Sequence, residues 1–224
     1  MREAMQYKEI AKWATGLPRR WLNQGRDFSS VDYWEKRYIQ GGTSGVGSYG
    51  KFAHFKADVI NEFLADNKIS SVIEFGCGDG NQLLLAKYPY YLGVDVSEHA
   101  IQTCRMTYAN DPTKHFALLR DYKGERAELA LSLDVIYHLV EDEVYEEHLA
   151  HLFFSAERYV IIYSSNTEAM PSPAAPHIRH RKFTDFIFET YPEWRLLKII
   201  LNRYPFKGEY RTGSFCDFYI YEKY

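Results

Sequence analysis

Short runs of β-branched and aromatic residues alternate along this chain with stretches whose apolar positions recur every three to four residues. That is the rhythm of strands alternating with helices. Phe52, Phe55, Val59, Ile60, Phe63 and Leu64 form one stripe, which predicts a helix over Phe52–Leu64 with a stop near Asn67. Val72, Ile73 and Phe75 make a first strand and Tyr91–Val94 a second, with an amphipathic helix expected between them over Asn81–Tyr88. Ser97 is placed to cap a helix carrying Ala100, Ile101 and Cys104, which Asp111-Pro112 ends. Phe116–Leu119 and Leu129–Leu133 read as the third and fourth strands. A helix over Val144–Glu157 points Leu149, Leu152, Phe153 and Ala156 inward and leaves His148 and His151 as ordinary face residues. Tyr159–Tyr163 is the fifth strand, and Thr184 caps a short helix through Glu189. Trp194–Leu201 and Phe215–Tyr221 close the chain with no helix between them, so they should pair antiparallel. The pattern predicts an α/β fold: a doubly wound sheet of seven strands, the last antiparallel, with the first five alternating with helices.

Ahead of that pattern the rhythm is broken. Met1–Gln24 has a mixed pattern, with a helix expected before Gly16 and with Trp13 and Trp21 flanking Pro18-Arg19-Arg20. Asp32–Tyr38 then leads into Gly41–Gly50, where five glycines in ten residues rule out a helix or strand interior. This stretch is either a flexible linker or a lid for which Tyr33, Trp34, Arg37 and Tyr38 supply stacking and charge. The flanking aromatics favour a lid. The division expected is an arm and glycine-rich lid over 1–50 and a ligand-binding domain over 51–224. A second long excursion, Ser164–Thr167 and the proline-rich Met170–Pro176, follows the fifth strand.

Charge narrows the partners. With 27 basic and 30 acidic residues the net charge is −3, so nucleic-acid binding driven by bulk charge is not expected. The three cysteines, Cys77, Cys104 and Cys216, have no metal-ligand spacing and suit a reducing compartment. No apolar run approaches a membrane span, and Met1–Ile10 is too charged for a signal peptide. These features predict a cytoplasmic protein whose partner is a small molecule or glycan; oligomeric state stays open. The 19 tyrosines belong to the core and surface or line a groove for a polar ring.

The candidate chemistry starts where the first strand ends. Glu74-Phe-Gly76-Cys-Gly78-Asp-Gly80 puts three glycines at alternate positions, letting backbone approach a ligand with no Cβ in the way. Asp95, closing the second strand, can accept hydrogen bonds from two vicinal ribose hydroxyls. The dinucleotide pattern G-x-G-x-x-G is absent, and Glu74 would repel a pyrophosphate but suits a cationic amino group. Here the sequence resembles the class I S-adenosylmethionine-dependent methyltransferases, whose first motif reads acid-x-Gly-x-Gly-x-Gly and whose second strand ends in a ribose-binding acid. The resemblance implies a Rossmann-like fold with S-adenosylmethionine as cofactor and S-adenosylhomocysteine as product. It also implies cofactor contacts from Glu74, Gly76, Cys77, Gly78, Asp95, Val96 and Leu133, with Arg37 on the methionine carboxylate. Asp121, after the third strand, matches the acid that contacts the adenine amino group in that family; otherwise it is a surface turn acid.

The end of the fourth strand faces the same crevice. If the chain turns helically at once, Asp134 and His138 stand four apart on one face, His138 as general base and Asp134 orienting it. Elsewhere such a histidine would be a satisfied core or cap residue; many small-molecule O-methyltransferases carry one at this point. The Asn/Asp-Pro-Pro-Tyr/Phe tetrapeptide used on exocyclic base amines is replaced by Asp134-Val-Ile-Tyr137, and a histidine base suits a hydroxyl acceptor. The expected reaction is therefore O-methylation. Tyr49, Tyr137, His177, Arg179, His180 and Arg181 are the expected acceptor contacts. The His177–Lys182 run either holds a carboxylate or phosphate or is a solvated basic strip. With the Trp34-x-x-Arg37-Tyr38 segment and the Gly/Ser stretch, it resembles methyltransferases of bacterial or viral glycan synthesis. That resemblance implies a sugar acceptor: a uronic acid, a nucleotide sugar or a polysaccharide terminus. A natural-product or metabolite scaffold is the alternative acceptor, and a non-catalytic nucleoside-binding domain the alternative function. His177-x-x-His180 lacks a third ligand, so no metal site is assigned; Mg²⁺ or Mn²⁺ near Asp134 and Glu141 stays open.

Overall fold

A computed structural model describes residues 28–169 and 175–224; the helix expected before Gly16 and residues 170–174 of the proline-rich excursion lie outside them. The elements are α1 (Ser30–Ile39), α2 (Gly50–Asn67), β1 (Ser71–Phe75), β2 (Tyr90–Asp95), α3 (Glu98–Thr107), β3 (Lys114–Leu118), β4 (Ala127–Leu133), α4 (Asp142–Ser155), β5 (Ala156–Ser164), α5 (Phe183–Thr190), β6 (Trp194–Ile200) and β7 (Asp217–Lys223). The seven strands lie in the order β3-β2-β1-β4-β5-β7-β6. β1 to β5 pair in parallel, and β7 runs antiparallel to both β5 and β6.

The two-residue period of the strands sorts the core into two layers. Leu129, Leu131, Tyr159, Ile161 and Tyr163 face one side, with Phe55 and Ile60 of α2 and Ile101 and Cys104 of α3. Ala130, Val160 and Ile162 face the other, with Leu149, Leu152 and Phe153 of α4 and Phe183 and Ile187 of α5. Each fully buried leucine or isoleucine contributes roughly 1.5–3 kcal/mol. Chain order reverses between β1 and β4: β2 and β3 build outward on one side, β4 and β5 on the other. That switch point opens a crevice at the strands' carboxyl ends, where ligands of doubly wound sheets bind.

Two expected crossovers differ. Residues 81–88 form a single 3₁₀ turn, Gln82–Leu85, in place of a helix. Pro89 disfavours helical backbone at Tyr88, and side chains take over the work of helical hydrogen bonds. Asn61 Nδ2 donates to the Leu85 carbonyl (2.9 Å), and Asn61 Oδ1 accepts from Lys87 N (2.8 Å). β3 and β4 are likewise joined through a 3₁₀ turn, Leu119–Asp121, so helices do not separate all of the first five strands. Ser97 does cap α3, accepting from Ala100 N. Thr184 does not cap α5, which starts one residue earlier; its hydroxyl donates to Asn166 Oδ1 instead. No helix among the described residues is long and apolar enough to cross a membrane.

Residues 28–50 lie over the crevice. The Ser30 hydroxyl donates to the His138 carbonyl (2.9 Å) and also bonds Glu141, while Ser30 N donates to Glu141 Oε1 (2.8 Å). At the other end, Ser44 N donates to Asp79 Oδ2 (2.9 Å), Asp79 N to Ser44 Oγ (3.0 Å), and the Tyr49 hydroxyl to Asp79 Oδ2 (2.9 Å). The segment is pinned to the turn after β4 and to the glycine bend.

Candidate functional site

The glycine bend follows from its dihedral angles. Gly76, Gly78 and Gly80 all have positive φ, at 85°, 57° and 75°. A Cβ on Gly76 would run into Val135, and one on Gly78 into Ser44 Oγ and the Tyr38 hydroxyl. Gly78→Ala should therefore cost about 1–2 kcal/mol from its left-handed backbone alone. The clash adds to that and pushes the 28–50 segment off the bend. A urea melt and faster proteolytic cleavage near Ser44 are the readouts; unchanged behaviour in both would contradict this packing.

The bend, the end of β2, the turn after β4 and the covering segment line one cleft. Glu74, Gly76, Cys77, Gly78, Asp95, Val96 and Leu133 of the expected cofactor set line it, with Asp134 and His138. Asp95 Oδ2 accepts from Gly78 N and Oδ1 from Ser97 N, both at 2.9 Å, so this acid shapes the bend it serves. Burial pushes its carboxyl up, the Ser97, Gly78 and Val96 amides pull it down, and Glu35 on α1 adds to the rise. Glu74 is buried and accepts from the Tyr91 hydroxyl (2.7 Å). Burial raises its carboxyl to about 7; Tyr91 and Lys56 act against that and Asp95 with it. Cys104 Sγ donates to the Gly78 carbonyl (3.3 Å), and the Cys104 contact together with burial holds Cys77 well above its usual value, so these thiols pack the bend.

His138 sits at the turn Ile136–His138 after β4. Its Nδ1 is 3.1 Å from the His177 carbonyl, which can only accept, so Nδ1 carries the hydrogen and Nε2 the free lone pair. Trp34 meets the ring edge-on at 5.0 Å, Tyr137 lies 4.3 Å from it, and His177 stacks at 5.4 Å. Burial pulls the imidazole down to about 4.

Other expected site residues stand elsewhere. Asp134 does not orient His138: the turn is 3₁₀ rather than α, and the carboxylate is taken by Lys56 (Oδ2, 2.6 Å) and the Tyr137 hydroxyl (Oδ1, 3.0 Å). Arg37 is held in its own segment, donating to the Thr43 carbonyl (2.7 Å) beneath Trp34, outside the cleft wall. Asp121 is exposed, because its tight turn puts Leu119 into the cleft and the acid outward. Tyr49 lies at a separate surface groove, and burial, with its bond to Asp79, raises its hydroxyl to about 12. Arg179 and Arg181 are committed: Arg179 donates to the Val140 carbonyl (2.9 Å), Arg181 to those of Leu139 (2.7 Å) and Val140 (3.0 Å), and both pair with Asp142. The basic run is thus a clamp on the turn that carries His138, neither an open anion site nor a solvated strip. His177 stacks on Tyr33 (4.5 Å), and His180 on Tyr137 (5.7 Å) while bonding Ser165.

Sequence reasoning passed over three cleft residues. Lys56 is 0% exposed yet lines the cleft. A charge between apolar positions of a helix looks solvated until the partner is seen. His148, read as an ordinary face residue, is buried against the Ser132 hydroxyl (2.8 Å), and burial pulls its ring down to about 3. Gln82, in the expected helix, donates to the Ala53 carbonyl (3.0 Å) and leaves Oε1 buried without a partner. Among the described residues, no group of three or more His, Cys, Asp or Glu could hold a metal ion. Asp134 and Glu141 engage Lys56 and Ser30 respectively.

No protein-family model matches the chain, and no curated protein matches it in sequence. Solved structures do match. Magnesium protoporphyrin IX methyltransferase from Synechocystis PCC 6803, with bound S-adenosylhomocysteine, superposes with a TM-score of 0.63 at 16% identity over 87% of this chain and 98% of that one. The N-methyltransferase NodS from Bradyrhizobium japonicum WM9, also with S-adenosylhomocysteine, gives 0.66 at 12% identity over 87% and 99%. The fold is that of the S-adenosylmethionine-dependent methyltransferases. The methyltransferase domain of bacterial CtHen1 agrees, at 0.58 and 19% identity over 75% of this chain and 96% of that one. The cleft fits the cofactor those folds carry. A bend closed to any Cβ, a ribose-ready acid at Asp95 and an unpartnered acceptor at Gln82 Oε1 are features a cationic nucleoside would use.

Proposed function

We propose that this chain transfers a methyl group from S-adenosylmethionine to a hydroxyl of a small polar acceptor, with His138 as general base. The observation that carries the reading is the hydrogen bond from His138 Nδ1 to the His177 carbonyl, which leaves Nε2 an acceptor in the wall shared with the glycine bend. When bound, S-adenosylmethionine supplies an electrophilic methyl on a sulfonium. Gly76 and Gly78 admit it, Asp95 receives its ribose hydroxyls, and Glu74 and Gln82 Oε1 receive its ammonium. Residues 28–50 act as the lid, with Trp34, Tyr38, Ser44 and Ser48 as its inner face. His138 would accept the acceptor's proton as the oxygen attacks.

A hydroxyl is favoured over an amine by the base. A hydroxyl oxygen must lose its proton as it attacks, and the Nε2 lone pair of His138 is free to take it. A sugar suits the aromatic surroundings of Trp34, whose face can cover the C–H face of a ring. An anionic group on that sugar finds no free guanidinium at Arg179 or Arg181, so the acceptor is better matched as a neutral one.

Calorimetric titration with S-adenosylhomocysteine tests the reading. Binding should occur and should weaken as pH falls through about 7, because Glu74 must ionise to hold an ammonium and its carboxyl titrates there. In Glu74→Gln the affinity should be lower and its pH dependence lost. No heat at any pH would remove the proposal.

A further inference from the structure

Lys56 is the most deeply buried cation of the cleft wall, its side chain 1% exposed. Nζ donates to Asp134 Oδ2 at 2.6 Å and lies 5.3 Å from the centroid of the Tyr163 ring. An ammonium has three protons, and among the described residues this is its one hydrogen bond. Asp134 carries backbone strain, with φ at 60°; the other non-glycine residue with positive φ among the described residues, Lys68, merely ends α2. Over the pair sits Gly47, where a Cβ would approach Asp134 Oδ2 to 2.6 Å, so the covering turn is cut to fit the carboxylate. A buried ion pair stabilises a fold little better than apolar residues of the same volume. A pair at the wall of a cleft, with unspent protons and a strained backbone, is therefore better explained by a ligand group.

We infer that Lys56 and Asp134 hold the acceptor by the hydroxyl next to the one that is methylated, so that the substrate class is a vicinal diol. The inference rests on the hydroxyl-transfer reading above and names its acceptor. A hydroxyl both accepts and donates: it accepts a hydrogen bond from Lys56 Nζ and donates one to the Asp134 carboxylate. A carbonyl or carboxylate would satisfy Lys56 but turn lone pairs toward Asp134; an ammonium would do the reverse. Tyr137 ties the two stations together, with its hydroxyl on Asp134 and its ring 4.3 Å from that of His138. The reacting oxygen gains the methyl and loses its proton to His138 Nε2. The neighbouring hydroxyl keeps its proton throughout, and Lys56 and Asp134 are positioning residues.

The test measures transfer of labelled methyl from S-adenosylmethionine to two matched probe pairs: catechol against phenol, and cis-1,2-cyclohexanediol against cyclohexanol. The intact protein should favour each diol by about 10–100-fold in kcat/KM, the range for losing hydrogen bonds to a charged group. In Lys56→Met that ratio should fall toward one, while calorimetry still reports S-adenosylhomocysteine binding. Lys56→Met/Asp134→Asn, which leaves no lone buried charge, should give the same collapsed ratio if the single variant folds poorly. Equal rates on diol and monohydroxy probes, a ratio that survives in both variants, or transfer to none of the four probes overturns the diol inference. Hydroxyl transfer with no diol preference leaves the parent reading standing, whereas failure to bind S-adenosylhomocysteine removes both.

Discussion

His138→Ala should lower methyl transfer by about 10²–10⁴-fold, the usual contribution of a positioned general base, while S-adenosylhomocysteine still binds. The nucleoside elements, Asp95 and the glycine bend, do not depend on the imidazole: Asp95 is held by Gly78 N and Ser97 N, and the bend by Val94 O. The pH profile gives the second readout. Because burial holds the His138 ring down at about 4, it stays neutral and able to accept a proton through the whole neutral range. The rate in the intact protein should therefore show no acid limb near 6.5 attributable to this ring. Full activity in His138→Ala would end the base assignment. The same shift has a stability sign. The folded state disfavours the protonated ring, so His138 costs nothing above its unfolded value of 6.5. Stability falls as pH drops from 6.5 toward 4, and His148, at about 3, adds to the loss in the same direction. Glu74 works oppositely: raised from 4.5 to about 7, it favours the fold most below 4.5, and that share is lost as pH rises to 7.

The second large effect is on folding. Lys56→Met should destabilise the protein by about 3–5 kcal/mol, because it leaves Asp134 buried without its cation. Against a total of roughly 5–15 kcal/mol for a domain of this kind, that is a severe loss. Urea unfolding of the single variant and of Lys56→Met/Asp134→Asn separates the causes. The double variant should regain most of the stability, since the lone charge and not the missing lysine is what costs. If the two variants melt alike, the charge imbalance is not the source. By contrast, the exposed pair Arg120–Glu98, with both side chains more than half exposed, should contribute well under 1 kcal/mol.

Short-range signals account for what the sequence read correctly. Strand positions follow from an alternation that depends only on neighbours, and the glycine bend from a backbone that L side chains seldom adopt. Ser97 was legible as a cap because its bond to Ala100 N spans three residues. The missing helix after the bend shows the limit. Asn61, twenty-four residues before Leu85, supplies hydrogen bonds that an isolated 81–88 segment would have to make within itself. The basic run fails for a like reason. Arg179 and Arg181 look available until the carbonyls of Leu139 and Val140 and the Asp142 carboxylate arrive from the far side of β5.

By itself, then, the sequence determined the alternating α/β sheet, the glycine bend between two acids, and a histidine at the end of the fourth strand. Local sterics and periodicity dictate each of them. Only the tertiary structure decided which charges are spent: it gave Asp134 to Lys56, turned both guanidiniums of the basic run into a clamp, and handed the orientation of His138 to a backbone carbonyl. Those outcomes depend on groups brought together across 37 to 78 residues of chain, a distance over which no residue pattern carries information about hydrogen-bond partners.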